Sequence, residues 1–249
     1  MRHGLSSLSV TILVCVCSAE LVTAQTVDEI VAKNLEAKGG AARIDAVTTV
    51  KMSGRATLQG MDAPLTIMMK RPNMVIQEMT VKGQRFVQAF DGERAWMLNP
   101  MSNGPQELQG EQVELMKDQT DFAGVLADYK RKGHTVELAG SDTVQGKNTH
   151  KLKVTRKSGQ VQYLDLDVES GLEVRSTTEI DQVDQQGMKV KIESLLSNYR
   201  AESGVMMPHT MTSMINGQPM SQITLDRVEF GVTIADVAFK MPPRSPFIR

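Results

Sequence analysis

Two carboxylates that could act together lie in a stretch with the pattern of a β-strand. Asp165 and Asp167 are two positions apart, so in a strand their side chains project from the same face. A close pair of carboxylates can supply general acid–base catalysis. Alternating aspartates are also common on a strand face that contacts solvent, and this interpretation is favoured. A hydrolase that uses Asp165 and Asp167 remains the minor alternative.

The other polar side chains show no recognised catalytic or metal-binding spacing. His134, His150 and His209 are far apart in the sequence and form no motif of the HExxH kind, so we expect isolated residues at the surface or rim. The serines lack a GxSxG turn, and the sequence has no glycine-rich loop suited to binding phosphate. The sequence therefore predicts a protein that is not an enzyme, with no catalytic residue, no metal and no cofactor.

The first 24 residues have the layout of a secretory signal. Arg2 belongs to a short polar start, residues 5–17 are mostly apolar or small, and Val22-Thr23-Ala24 offers a cleavage site after Ala24. The apolar run is shorter than the roughly 20 residues that a membrane-spanning helix needs. We therefore expect an exported chain from which residues 1–24 are removed.

Both cysteines, Cys15 and Cys17, lie inside this segment. A lipid-modified cysteine is one interpretation, but Val14 and Val16 precede them, where a lipoprotein signal normally has glycine, alanine or serine. Apolar filler within the signal is the favoured interpretation. The mature chain then contains no cysteine, so its stability must come from a packed core and not from disulfides.

The composition favours a single large domain over residues 25–249. The formal net charge of −1 provides no basic surface of the kind that nucleic acid requires. The chain has 17 methionines but only 6 phenylalanines, 3 tyrosines and 1 tryptophan. Methionine is flexible and polarizable and suits surfaces that adapt to varied apolar ligands. A core filled with methionine in place of leucine is the alternative.

The chain opens, after the signal, with a predicted helix over residues 26–38. Thr26 and Glu29 have the spacing of a capping box, and Gly39-Gly40 provides a stop. Two further short amphipathic helices are predicted between residues 106 and 129, because apolar residues recur there at helical spacing. These two helices are the candidates for a lid over one sheet face.

Most of the remaining sequence alternates between apolar and polar residues with a period of two, which predicts strands. The alternation begins at Val47, and strong hairpin signals occur at Asp91-Gly92 and Asn216-Gly217. The expected fold is mainly β with a few helices, an α+β arrangement of about eleven antiparallel strands. A sheet of that size tends to curl, which predicts a curved sheet or an open barrel.

A series of short motifs runs through nearly the whole mature chain: Lys38-Gly39-Gly40, Arg71-Pro72-Asn73, Gln77-Glu78, Phe90-Asp91-Gly92, Trp96, Asn99-Pro100, Tyr199-Arg200, Gly204, Pro208-His209, Asn216-Gly217-Gln218, Asp236-Val237-Ala238-Phe239 and Pro242. Together they resemble the outer-membrane lipoprotein-sorting family, the LolA/LolB-like proteins. Most of these motifs are turn residues, so they indicate topology more firmly than activity.

The resemblance implies an unclosed antiparallel β-barrel around an apolar cavity, with a helical lid. It also implies a periplasmic carrier that binds the acyl chains of lipoproteins or lipids and delivers them toward the outer membrane. An inner-membrane exporter and an outer-membrane acceptor would then be its partners. An envelope module that senses lipid or lipoprotein and acts on another protein is the alternative on the same fold.

The candidate ligand contacts are apolar residues of the predicted strands and lid. Trp96 is equally a candidate for the cavity mouth and for a core position after the turn. The strand and lid residues carry the same two interpretations, core or ligand contact. The full set is Met52, Ala56, Ile67, Met69, Met79, Trp96, Leu115, Met116, Phe122, Val125 and Leu126.

Overall fold

The computed structural model describes residues 25–58, 60–183 and 189–243; the predicted signal and both cysteines lie outside them. The helices are α1 (Val27–Ala37), α2 (Ala41–Ala46) and α3 (Glu111–Gln119). The strands are β1 (Thr49–Leu58), β2 (Met61–Lys70), β3 (Met74–Val81), β4 (Gln84–Phe90), β5 (Ala95–Leu98), β6 (Gln106–Glu107), β7 (Thr135–Val144), β8 (Lys147–Thr155), β9 (Val161–Asp167), β10 (Glu173–Val183), β11 (Lys189–Glu202), β12 (Val205–Ile215) and β13 (Gln218–Phe230). A 3-10 helix follows at Asp236–Phe239.

All thirteen strands belong to one antiparallel sheet in the order β6-β5-β4-β3-β2-β1-β13-β12-β11-β10-β9-β8-β7. The first and last strands of the chain, β1 and β13, pair at its centre. The two edges, β6 and β7, do not pair with each other, so the sheet is not closed. The predicted unclosed antiparallel fold is confirmed, although the strand count exceeds the expected eleven. The two-residue strand β6 lies where the first lid helix was predicted to begin.

The predicted first helix is confirmed, with both bonds of its capping box. The backbone N–H of Thr26 donates to Glu29 Oε2 at 2.8 Å, and the N–H of Glu29 donates to Thr26 Oγ1 at 3.3 Å. The chain leaves α1 at Gly39, whose φ is +112°. A Cβ at this position would lie 2.2 Å from the Gly204 carbonyl oxygen, so only glycine fits where the helix end meets the β11–β12 hairpin. The short helix α2 that follows was not predicted.

The second predicted lid helix is wrong, because residues 121–133 form a series of turns. Gly124 and Asp128 have φ values of +82° and +50°, a left-handed conformation that interrupts any right-handed helix. The apolar residues of this segment are nevertheless buried, as the side chains of Val125 and Leu126 show. A segment of tight turns can therefore bury the same side chains that a helix would.

The pairing register of the strands shows which side chains share one face across both halves of the sheet. Ala56 of β1 pairs with Ile223 of β13, which in turn pairs with Met211 of β12. The same alternation continues through β11 and β10 to Leu164 of β9 and Leu152 of β8. We call this the inner face, because the helices pack on it.

Each half of the inner face has its own cover. Met116 of α3 is buried against β1–β5 and β13. Ile30 and Val31 of α1 pack with Val125 and Leu126 against β8 and β9. The interior is therefore enclosed by α1, α3 and the turns of residues 121–133 on one side and by the sheet on the other.

The opposite, outer face is covered on one half by residues 232–241. Phe239 is fully buried there against Ile76, Ala89 and Trp96. The indole Nε1 of Trp96 donates to the Phe239 carbonyl oxygen at 2.7 Å. The C-terminal segment is thus fixed to the outer face of β3–β5. None of the helices within the described ranges has the length and apolar character needed to cross a membrane.

Candidate ligand-binding site

Two chambers lie against the inner face, one on each half of the sheet. The first, the apolar chamber, has a volume of about 270 Å³ and lies at the ends of β1–β5 and β13. Its walls combine aliphatic, thioether and aromatic side chains with two glutamines and one serine. The lining residues are Ala56, Leu58, Leu65, Gln77, Met79, Phe86, Val87, Gln88, Met97, Leu98, Ser221 and Ile223.

Antiparallel register brings these residues together. Leu65 of β2 pairs with Met79 of β3, which pairs with Phe86 of β4. Because directly paired residues point to the same face of a sheet, a row of apolar side chains crosses three strands. Ile223 reaches the same chamber from β13 by pairing with Ala56. The chamber therefore depends on the contact between the first and last strands of the chain.

The second, the polar chamber, has a volume of about 540 Å³ and lies between α3 and strands β8–β11. Amide, hydroxyl and charged side chains dominate its wall, and only two of the lining residues are aliphatic. The lining residues are Gln112, Leu115, Asp118, Gln119, Arg156, Gln160, Gln162, Thr178, Ile192 and Ser194.

Helix α3 forms one wall of the polar chamber and is bonded to both halves of the sheet. Gln77 of β3 donates from Nε2 to Gln119 Oε1 at 2.6 Å. On the other side, Arg156 Nη1 donates to Asp118 Oδ1 at 3.0 Å. Met116, which is 3% exposed, anchors the helix in the apolar core. Helix α3 thus occupies the position across the sheet where the sequence predicted a lid.

The structure brings some of the predicted site residues to the chambers and not others. Ala56 and Met79 line the apolar chamber, and Leu115 lines the polar chamber. Four predicted residues, Met52, Ile67, Met69 and Met116, belong to the core cluster that continues from the apolar chamber.

The remaining four predicted residues lie away from the chamber walls. Phe122 packs edge-on against Phe230 with ring centroids 5.9 Å apart. Val125 and Leu126 pack with α1 on the other half of the sheet. Trp96 lies on the outer face and is 3% exposed, so of its two predicted positions the structure shows the core one.

Several residues of the apolar chamber were missed by the sequence analysis, among them Phe86, Met97 and Ile223. The alternation of apolar and polar residues shows which other residues of the same strand share a face with each of them. Which residues of other strands lie beside them depends on pairing between strands that are distant in the sequence. No local pattern specifies that pairing.

Solved structures identify the fold, although sequence comparison does not. No family model and no curated protein matches the sequence. A LolA superfamily protein from Nitrosomonas europaea matches with a TM-score of 0.55 at 14% identity, over 87% of this chain and 98% of that chain. The chain has the fold of the LolA superfamily. The resemblance stated from the motifs is therefore confirmed at the level of the fold.

Two other structures with this fold agree. An outer membrane lipoprotein-sorting protein domain from Vibrio parahaemolyticus matches with a TM-score of 0.56 at 12% identity, over 84% of this chain and 95% of that chain. A DUF1329 family protein from Desulfovibrio piger matches with a TM-score of 0.57 at 12% identity, over 86% of this chain and 97% of that chain. The LolA-like fold accounts for nearly the full length of each of these proteins.

The two aspartates considered for acid–base chemistry are buried on the outer face of this LolA-like sheet, and the prediction that they contact solvent is wrong. Asp165 is fully buried and accepts a bond from Arg175 Nε at 2.7 Å. Asp167 accepts from Ser170 Oγ at 2.7 Å and from Lys147 Nζ at 3.1 Å. Both carboxylates are thus held by partners within the fold.

One of the three histidines, His209, is buried, although a position at the surface or rim was predicted. His209 is only 1% exposed, with Nε2 3.1 Å from Glu202 Oε1 and Nδ1 3.1 Å from the Met207 carbonyl oxygen. The prediction of a surface position is therefore wrong for His209, while His134 and His150 are partly exposed. Within the described part of the chain, His, Asp and Glu side chains form no group of three that could hold a metal ion.

A partly buried cluster of polar side chains lies where α1 ends. Lys38 Nζ donates to the Ala123 carbonyl oxygen at 3.2 Å, and Tyr199 Oη donates to the Glu173 carbonyl oxygen at 2.7 Å. Burial raises the pKa of the Glu173 carboxyl to about 7, although the charge of Lys38 opposes the shift. Burial also lowers the pKa of Lys38. Burial thus favours the neutral forms of both side chains, because it removes water from the charged ones.

Proposed function

We propose that this protein is a carrier that binds an acyl chain of a lipid or lipoprotein in the apolar chamber. The observation that carries the proposal is the chamber itself, an apolar space against the inner face of a LolA-like sheet, next to the core cluster that contains Met116 of α3. Burial of each methylene contributes about 0.8 kcal/mol, so a chain can be held there without a specific polar contact. Its volume of about 270 Å³ lies close to the lower end of the roughly 300–1,000 Å³ typical of ligand pockets.

The carrier would work in the periplasm and hand its cargo toward the outer membrane. The signal-like sequence at residues 1–24 and the fold shared with an outer membrane lipoprotein-sorting protein domain support this location and direction. Release would require an acceptor with a higher affinity for the chain, because a carrier can be emptied only by a difference in affinity. An exporter at the inner membrane and an acceptor at the outer membrane are the partners that this role requires.

The test is binding of an acylated lipopeptide and of the same peptide without its acyl groups, measured by calorimetry. We expect saturable binding of the acylated form alone. In the variant Ser221→Trp, an indole would enter the chamber from its wall, and the affinity should fall about tenfold or more because roughly two methylenes are displaced.

The matched control is Gln222→Trp, which places the same indole one residue farther along β13. Gln222 is exposed, and its side chain points to the opposite face of the sheet from Ser221. This variant should bind like the original protein. Equal binding of the acylated and unacylated peptides, or equal losses in the two variants, would refute acyl binding in this chamber.

A further inference from the structure

Arg156, in the wall of the polar chamber, has a buried donor that the described residues leave unused. Arg156 Nε is buried and has no hydrogen-bond partner within the described part of the chain. The other two nitrogens of the guanidinium are occupied, Nη1 by Asp118 Oδ1 at 3.0 Å and Nη2 by Gln162 Oε1 at 3.2 Å. A buried donor without an acceptor costs about 1–3 kcal/mol. An oxygen atom of a ligand at this position would therefore be favoured.

The wall around this donor suits a neutral, oxygen-rich group better than an anion. The charge of Arg156 is already balanced by Asp118, so an incoming anion would meet a carboxylate beside the guanidinium. Gln112 and Gln160 offer amides, which both donate and accept. Ester carbonyls and hydroxyl groups can use such partners without adding charge to the chamber.

A hydrogen bond links the walls of the two chambers. Gln77 lines the apolar chamber and Gln119 lines the polar chamber, and their side chains are joined by a hydrogen bond of 2.6 Å. An amphipathic molecule lying across the end of α3 could therefore place its tail in one chamber and its head in the other.

We propose that the polar chamber binds the head of an acylglycerol. An ester or hydroxyl oxygen accepts the free N–H of Arg156, and the glutamines bond the remaining oxygens. The acyl chain of the same molecule occupies the apolar chamber, so this inference rests on the proposed function. It adds the chemical class of the ligand, a neutral glycerol ester in place of a fatty acid or an alkyl phosphate.

The test compares three ligands with the same twelve-carbon chain: monolauroylglycerol, lauric acid and dodecyl phosphate. We expect monolauroylglycerol to bind most tightly. The variant Arg156→Lys keeps a positive charge opposite Asp118 but removes the Nε donor. Its affinity for monolauroylglycerol should fall about tenfold, as expected for one hydrogen bond to a charged group, while its affinity for lauric acid stays the same.

Two further variants make the result interpretable. Arg85→Lys removes the same group from an exposed pair with Glu78 on the outer face, and it should change none of the three affinities. Gln112→Leu removes an amide from the chamber without touching the Arg156 ion pair. It should weaken monolauroylglycerol selectively even if Arg156→Lys folds poorly.

The outcomes separate this inference from the proposed function. Equal affinities for the three ligands, unchanged by Arg156→Lys and Gln112→Leu, would overturn the head site and leave acyl binding intact. If lauric acid or dodecyl phosphate bound more tightly than monolauroylglycerol, the proposed preference for a neutral head group would be overturned. Failure of all three ligands to bind would overturn the proposed function as well.

Discussion

Replacing Arg175 with methionine is expected to lower the free energy of unfolding by about 3–5 kcal/mol, the cost of breaking a buried ion pair by removing one partner. Arg175 Nε donates to Asp165 Oδ2 at 2.7 Å, and Asp165 is fully buried. The same guanidinium bonds Asp142 and is the largest cause that lowers the pKa of that carboxyl to about 2. Without Arg175, the fully buried carboxylate of Asp165 on the outer face would lose the cation that pairs with it.

The control for this prediction is Arg227→Met, which removes an arginine from an exposed pair. The Arg227 side chain is 72% exposed and lies 2.9 Å from Glu229, so its loss should cost at most about 1 kcal/mol. Chemical denaturation of both variants gives the comparison. The double variant Arg175→Met/Asp165→Leu should recover most of the loss, because it no longer buries an unpaired charge. Similar small losses in Arg175→Met and Arg227→Met would contradict this account of the outer face.

Replacing Trp96 with alanine is expected to lower the free energy of unfolding by about 3–5 kcal/mol, the range for removing a large buried aromatic side chain. Trp96 is 3% exposed and packs with Ile76, Ile234 and Phe239 on the outer face. Its Nε1 is also bonded to the Phe239 carbonyl oxygen. The substitution therefore leaves a cavity and frees the C-terminal segment, and faster proteolysis near residues 232–241 should accompany the loss.

Phe86→Ala is the matched variant on the other face of the same half of the sheet. Phe86 is only partly buried and lines the apolar chamber, so we expect a smaller loss of stability and a clear loss of acyl affinity. Trp96→Ala should show the reverse pattern when both are assayed well below their unfolding temperatures. If Trp96→Ala lost as much affinity as Phe86→Ala, binding of the ligand at the inner face would be contradicted.

Local features of the sequence were enough to predict the elements whose causes are local. The capping box of Thr26 and Glu29 starts α1 as expected. At Asn216-Gly217 both residues have positive φ, +48° and +77°, which is the type I′ geometry that this pair favours. The alternation along β1 correctly separated the buried face with Val50 and Met52 from the other face.

Features that depend on tertiary contacts could not be predicted in this way. The spacing of Phe122, Val125 and Leu126 fits a helix, but Gly124 in a left-handed conformation ends any helix there. The turn at Asp91-Gly92 was clear, yet the face that Trp96 occupies is decided by Phe239, far along the chain. The position of Trp96 thus depends on packing with a distant part of the chain.

The buried charges illustrate the same limit. From the neighbouring residues alone, Asp165 and Asp167 have the pattern of side chains on the solvent-exposed face of a strand. Arg175 follows the next turn and pairs with Asp165 across β9 and β10, which allows a carboxylate to be buried. The site has the same dependence, because the apolar chamber exists only where β13 returns to β1.

The central claim is that an acyl chain binds against the inner face, and the methionines of the chain allow a direct test. Met79 and Met97 line the apolar chamber, whereas Met68 and Met74 pack on the outer face. Isotope-labelled methionine methyl groups can be followed by NMR while stearic acid carrying a nitroxide near its end is added. The account predicts saturable broadening of the Met79 and Met97 signals, with Met68 and Met74 unaffected. Broadening confined to the outer-face methionines, or equal broadening of all four, would contradict it.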